Sequence, residues 1–191
     1  MPLDGRLQSQ YGTVTLLVTG GSLGALRINR ATIDAVERWR NRDDLAVRHS
    51  VGTRDWDVIH ADEVDPGVLQ YLPVVYDDDL PRTLAAADIA VGRAGASTCF
   101  EFAAAGLPAI LVPSPYVTAN HQTGNARHLT EAGAAVMIPD AELDGARLAV
   151  EVDTLLADPA RLDAMAAAMH AFSRPRAADD IAALVEAHAR D

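Results

Sequence analysis

Aromatic residues are scarce in this chain, at 5 % of positions, cysteine occurs once, and positive charge is in deficit. With 16 Lys and Arg against 27 Asp and Glu, the formal net charge is −11. That balance excludes a nucleic-acid partner, because neutralising a phosphate backbone takes clustered Lys and Arg. It also excludes electrostatic attachment to an anionic membrane surface. A small anionic ligand stays open, since a few backbone amides bind phosphate locally. Cys99 stands alone, so no intrachain disulfide forms, which fits a reducing compartment. No apolar run approaches the roughly 20 residues of a membrane span. Residues 1–11 lack the basic-then-apolar order of a signal peptide. A cytoplasmic protein is expected.

What is present is aliphatic. Of 191 residues, 49 % are hydrophobic, mostly Ala, Val and Leu, which suits close packing of helices on a sheet and one full-sized domain. Residues 1–13 read as a polar, flexible lead-in. Val14–Thr19 is a continuous apolar and β-branched run, as in a strand buried on both faces. It ends in Gly20-Gly21-Ser22-Leu23-Gly24, and a helix is expected from Ala25 to Trp39. The order recurs. Strands are expected at 45–51, 72–76, 89–92, 109–112 and 135–138, with helices at 80–87, 98–105 and 121–132 and an all-helical C-terminal third. Strands alternating with helices imply an α/β fold, a doubly wound, Rossmann-like parallel sheet of about six strands.

In such sheets ligands bind beyond the carboxyl ends of the strands, and three notable loops fall at that edge. Gly20–Gly24 joins a buried strand to a helix start, a place where amides and the helix dipole receive phosphate; the alternative is a tight turn needing glycine alone. The spacing G-G-x-x-G is not the dinucleotide fingerprint. In the second loop, Thr98 with Glu101 three residues later has capping-box spacing, so Glu101 serves either the helix start or the hydroxyls of a ribose. The third loop, 112–126, is polar, and its amide side chains suit a hydroxyl-rich ligand. His121 and Asn125 lie four apart on one helix face. No Asp, Glu, Cys or second His accompanies His121 at ligand spacing, so no metal site is expected.

Together these loops resemble the MurG family of transferases, which move N-acetylglucosamine from UDP to a lipid-linked muramyl-pentapeptide. The matching strings are Val18–Ala25, Arg93–Thr98, Glu101 with Ala103–Ala109, and Val112-Pro113 through His121-Gln122-Thr123-Gly124-Asn125-Ala126. Weaker matches are His49–Gly52 and Tyr76 with Asp78–Leu80. The resemblance covers almost the whole chain from Val14 onward. It implies that residues 14–191 form the UDP-sugar-binding C-terminal half of a GT-B type two-domain glycosyltransferase in peptidoglycan synthesis. Gly21 and Ser22 would meet the diphosphate, with Thr98 beside it. Asp77 falls where the family's backbone pairs with uracil, so its side chain is expected to matter little. Glu101 would hold the ribose, and Gln122 would read the sugar, supported by His121 and Asn125.

The sequence departs from the family at Leu23, where a Gln is common, and at Ala119-Asn120, where acidic residues are common. Both bear on sugar selectivity. The larger departure is the lack of a counterpart to the family's N-terminal domain, with its acceptor site and membrane-contacting surface. The resemblance implies inverting displacement without a covalent enzyme intermediate and without a cofactor, and with the general base on that other half. No catalytic base is therefore named, although His49 and His121 are candidates. The implied partners are UDP-N-acetylglucosamine and an N-terminal acceptor-binding domain or subunit, with membrane contact only through that half. Two alternatives stand beside this one: a nucleotide-sugar-binding module without catalysis, and half of another UDP-sugar enzyme such as an epimerase.

Overall fold

The computed structural model describes residues 13–117 and 120–189. The lead-in at 1–12 and the pair Thr118-Ala119 lie outside the described residues. Six parallel strands form one sheet: β1 (Val14–Thr19), β2 (Leu45–Ser50), β3 (Gln70–Val74), β4 (Ile89–Gly92), β5 (Ala109–Leu111) and β6 (Ala135–Met137). Their order across the sheet is β3-β2-β1-β4-β5-β6. Because β4 returns to the far side of β1, the two halves wind outward in opposite directions. The β1/β4 boundary is the topological switch point, where a crevice opens beyond the strands' carboxyl ends.

The helices are α1 (Leu26–Arg38), α2 (Trp56–Ile59), α3 (Leu80–Ala86), α4 (Ala96–Ala105), α5 (His121–Glu131), α6 (Gly145–Leu156), α7 (Pro159–His170) and α8 (Ala177–His188). Alternation along the strands divides the core in two. Leu16 and Val18 point to one face, packing with Ile28 and Val36 of α1, Trp39 at its C-cap, and Leu148, Val152 and Leu155 of α6. Leu17 points to the other, packing with Leu84 of α3, Phe102 of α4, Leu129 of α5 and Met169 of α7. Both faces being covered explains why the strands read as unbroken apolar runs. In contrast, α8 buries no residue and leaves Ile181, Leu184 and Val185 each more than 60 % exposed.

Two expected elements begin two residues early, and α2 was not expected at all. β3 lies at 70–74 rather than 72–76 because register with β2, Ala46 opposite Gln70 and Ser50 opposite Val74, outweighs local hydrophobicity. It is an edge strand, which tolerates Pro73, and Tyr76 runs past the sheet, 51 % exposed. The second difference is α4, which begins at Ala96 rather than Thr98, with Gly95 as its N-cap.

Candidate functional site

β1, β4 and β5 each deliver a helix start to the same edge of the sheet. α1, α4 and α5 all begin without a side-chain cap and without an acidic residue in the first turn. α3 likewise begins uncapped, whereas α6 and α7, which follow β6, carry their own side-chain caps, α6 at the wall of the cleft along this edge. Asp144 caps α6 by accepting from the Arg147 N–H, and Asp158 caps α7 by accepting from the Arg161 N–H. The uncapped first-turn N–H groups of α1 and α5 are donors along this edge, where Arg27, Arg30, Arg54 and Arg93 stand beside Asp34, Asp140 and Asp144. An anion fits there.

A cleft of about 1000 Å³ opens at this edge, lined by Gly20–Arg27 of the glycine loop and the α1 start, by Arg93, and by Ser114, Tyr116 and Gln122. Gly21, with φ +85°, has no atom within 4 Å of where a Cβ would stand, so its open side faces free space. The Gly21 N–H donates to Thr19 Oγ1 and its carbonyl accepts from the Gly24 N–H, which close the turn. Ser22 and Leu23 are exposed in the cleft wall. Gln122 is half-buried; its Oε1 accepts from the Ser114 N–H at 2.8 Å, which directs one end of the amide inward and leaves Nε2 as a donor in the cleft. Asn125 works behind it, donating to the Ala94 carbonyl at 3.0 Å and tying α5 to the β4–α4 loop. Gly21, Ser22 and Gln122 thus share one cleft. Thr98, Glu101, Asp77, His121 and Asn125 are not in its wall.

The capping-box expectation fails. Since α4 starts two residues earlier, Thr98 is inside the first turn rather than at its cap, and Glu101 lies a turn and a half along. Neither side chain caps the helix, and the half-buried Glu101 carboxylate makes no hydrogen bond or ion pair to any described residue. A carboxylate left in that state near a helix start is free to accept from a ligand.

The Asp77 side chain has a structural role that its place in the sequence did not reveal. It is 6 % exposed and accepts from Arg48 Nε at 3.1 Å and Thr83 Oγ1 at 2.8 Å, joining β2 to α3. Burial raises its pKa, but the hydrogen bonds from Arg48 and Thr83 outweigh that and hold it below the ordinary value. A depressed folded-state pKa adds stability above the unfolded value and loses it as pH falls through the folded value. Asp77→Asn should therefore melt below the parent chain at pH 7, with the gap closing below about pH 4. A gap independent of pH would refute the ionic account.

The histidine candidates also separate. His49 is fully buried, and desolvation lowers its pKa to about 3, so the ring is neutral and has no route to a substrate proton. It is not a general base. His121 is exposed at the start of α5 and outside the cleft wall. Burial likewise pushes the Cys99 thiol up to about 11, which removes it as a nucleophile. Sequence reasoning missed two groups at this edge: Arg93, whose Nη1 reaches Asp140 Oδ1 at 2.5 Å, and Arg54, a cleft-lining cation from an irregular segment.

Comparison with known proteins bears on the same surface. The family model described as the glycosyltransferase family 28 C-terminal domain matches residues 15–181. A UDP-N-acetylglucosamine--N-acetylmuramyl-(pentapeptide) pyrophosphoryl-undecaprenol N-acetylglucosamine transferase of Desulforamulus reducens is 38 % identical over 180 residues, covering 91 % of this chain and 48 % of the relative. Its namesake in Methylococcus capsulatus is 43 % identical over 175 residues, covering 87 % and 47 %. Among solved structures, the Acinetobacter baumannii MurG crystal structure superposes with a TM-score of 0.81 at 28 % identity, over 95 % of this chain and 51 % of that one. The chain spans about half the length of the curated relatives it matches.

Proposed function

Because this chain belongs to the glycosyltransferase family 28 C-terminal domain family, we propose that it is the donor-binding half of an inverting transferase. The reading is that it binds UDP-N-acetylglucosamine, whose sugar passes to a lipid-linked muramyl-pentapeptide in peptidoglycan synthesis. The observation that carries it is the cleft formed by the glycine loop, the uncapped start of α1 and Gln122 at the uncapped start of α5. Such a site holds a diphosphate by amides and helix dipoles and needs neither metal nor lysine.

Each site residue has a role in this reading. Gly21 and Ser22 receive the diphosphate, with Thr98 at the neighbouring helix start. Glu101 accepts from the ribose hydroxyls. Asp77, by joining β2 to α3, fixes the backbone that meets the uracil. Gln122 donates to the sugar through Nε2, while Asn125 and His121 set the pitch of α5. Residues 14–191 form this domain as one unit. The general base and the acceptor site belong to an N-terminal half, without which transfer does not proceed. The exposed Ile181, Leu184 and Val185 of α8 suit a chain that packs against a second half. The protein acts in the cytoplasm, at the inner face of the plasma membrane when joined to that half. Among the described residues no helix is long and apolar enough to cross a membrane.

Calorimetric titration with UDP, UDP-N-acetylglucosamine and UDP-glucose tests this reading. Weak binding of all three is expected, with the N-acetylglucosamine form preferred. Gln122→Ala removes the donor without adding charge. It should leave UDP affinity intact and weaken both sugar conjugates, a loss of about 1–2 kcal/mol. If UDP gives no saturable heat, the donor-site reading is wrong. If the sugar conjugates bind Gln122→Ala as tightly as the parent, another residue reads the sugar.

A further inference from the structure

The segment between β2 and α2 runs directly beneath the glycine loop. The Thr53 N–H and Oγ1 both donate to the Ser22 carbonyl, each at 3.3 Å. Arg54 Nη2 donates to the Gly24 carbonyl at 3.1 Å, and Arg54 Nε donates to Asp55 Oδ1 at 2.9 Å. Nη1 carries no hydrogen bond to a described residue, and the side chain, 58 % exposed, lines the same cleft as Gly21 and Ser22. Two other arginines of that cleft, Arg27 and Arg93, are both engaged by Asp140.

Behind Arg54 stands a buried polar chain. Asp55 is 4 % exposed, and its Oδ2 accepts from Asn29 Nδ2 at 3.0 Å. The same Nδ2 donates to the Val51 carbonyl at 2.9 Å, so Asn29 Oδ1 is the amide's acceptor. It faces His49 Nε2 at 3.0 Å, which makes Nε2 the protonated nitrogen of a neutral ring. His49 Nδ1 then accepts from the Tyr71 hydroxyl at 2.9 Å. Asn29 and His49 are both fully buried. Desolvating four polar side chains is justified only if every partner is met, and here each is. The chain ends at one exposed group, the Arg54 guanidinium.

We propose that Arg54 contacts the diphosphate of the nucleotide sugar, and that Asp55, Asn29, His49 and Tyr71 are positioning residues that present it. The proposal rests on the donor-binding reading above. A guanidinium clamped through Nε and one terminal nitrogen keeps its other terminal nitrogen for a phosphate oxygen, and little side-chain entropy is left to lose on binding. The same clamp joins the cation to the glycine loop through Gly24, so the amides and the charge move together. None of this was legible as a motif, since Arg54 lies in an irregular stretch and its orienting groups come from α1, β2 and β3.

The test compares UDP, followed by calorimetry, with uridine, followed by ligand-observed NMR. Arg54→Gln should weaken UDP about 10- to 100-fold and leave uridine unchanged, as expected for one lost charge-assisted hydrogen bond to phosphate. Arg54→Lys should recover part of the loss, because a point charge remains but the fork is gone. Arg161→Gln removes the same charge from an exposed side chain outside the cleft, and should leave UDP within about threefold. Wild-type UDP affinity in Arg54→Gln, an equal loss for uridine, or an equal effect of Arg161→Gln would each overturn the assignment. A parent chain that fails to bind UDP rejects the donor site itself, a different result from binding that ignores Arg54.

Discussion

Glu101→Ala is expected to weaken UDP and its sugar conjugates together, by about 10- to 100-fold, the effect of losing one or two charge-assisted hydrogen bonds. The melting temperature should stay within about 2 °C of the parent chain, because the carboxylate makes no hydrogen bond or ion pair to a described residue that folding would miss. A capping role would give the opposite pattern, since a lost cap costs about 1 kcal/mol of stability and no affinity. The two accounts are separated by measuring both quantities on one preparation. Glu101→Gln sharpens the result: the amide keeps the shape and loses the charge, so it should fall between Ala and the parent. Unchanged affinity in Glu101→Ala would remove this residue from the site.

The larger structural effect is expected at Gly52. It has φ +93°, and a Cβ there would stand 2.2 Å from the Gly24 backbone nitrogen and 2.3 Å from its Cα. Gly24 mirrors it, with φ +89° and a Cβ position 2.3 Å from the Val51 carbonyl oxygen. The glycine loop and its floor therefore pass back to back, backbone on backbone. No flexible side chain can yield. Gly52→Ala combines left-handed strain with overpacking and should cost about 2–5 kcal/mol. At about 2–4 °C per kcal/mol for a chain of this size, the melting point should fall by roughly 5–20 °C. UDP binding should disappear, because relief of the clash displaces the Gly24 and Ser22 amides. Gly21→Ala is the contrast: its φ is +85°, yet nothing lies within 4 Å, so only the strain of about 1–3 kcal/mol applies. Equal melting points for the two variants would show that the back-to-back crossing does not hold.

Much of the architecture was legible because its determinants are local. Val14–Thr19 and Ile89–Gly92 are apolar runs bounded by glycine, and both strands lie where the pattern put them. Parallel strands have all their carboxyl ends on one side, so the glycine loop and the 112–126 loop had to share an edge. The start of α4 was misjudged for an equally local reason. Thr98 and Glu101 satisfy the capping spacing, but Gly95 already leaves the strand in an extended conformation, and Ala96-Ser97 accept helical geometry at once.

By itself the sequence determined the alternation of strands and helices, the parallel sheet, the polar loops along one edge and the family to which they belong. Patterns of two and 3.6 residues and turn chemistry act within a few positions of one another. Tertiary structure decided what the polar side chains do. Asp77 became a buried brace because Arg48, 29 residues away, and Thr83 converge on it. His49 turned inward because strand order sets β2 between β1 and β3, with Tyr71 on the same face two residues before its paired Pro73. Arg54 reached the cleft because two glycines let separate loops cross at backbone distance. Partners brought together across 20 to 30 residues leave no periodic trace, so their roles exist only once the sheet has closed the distances between them.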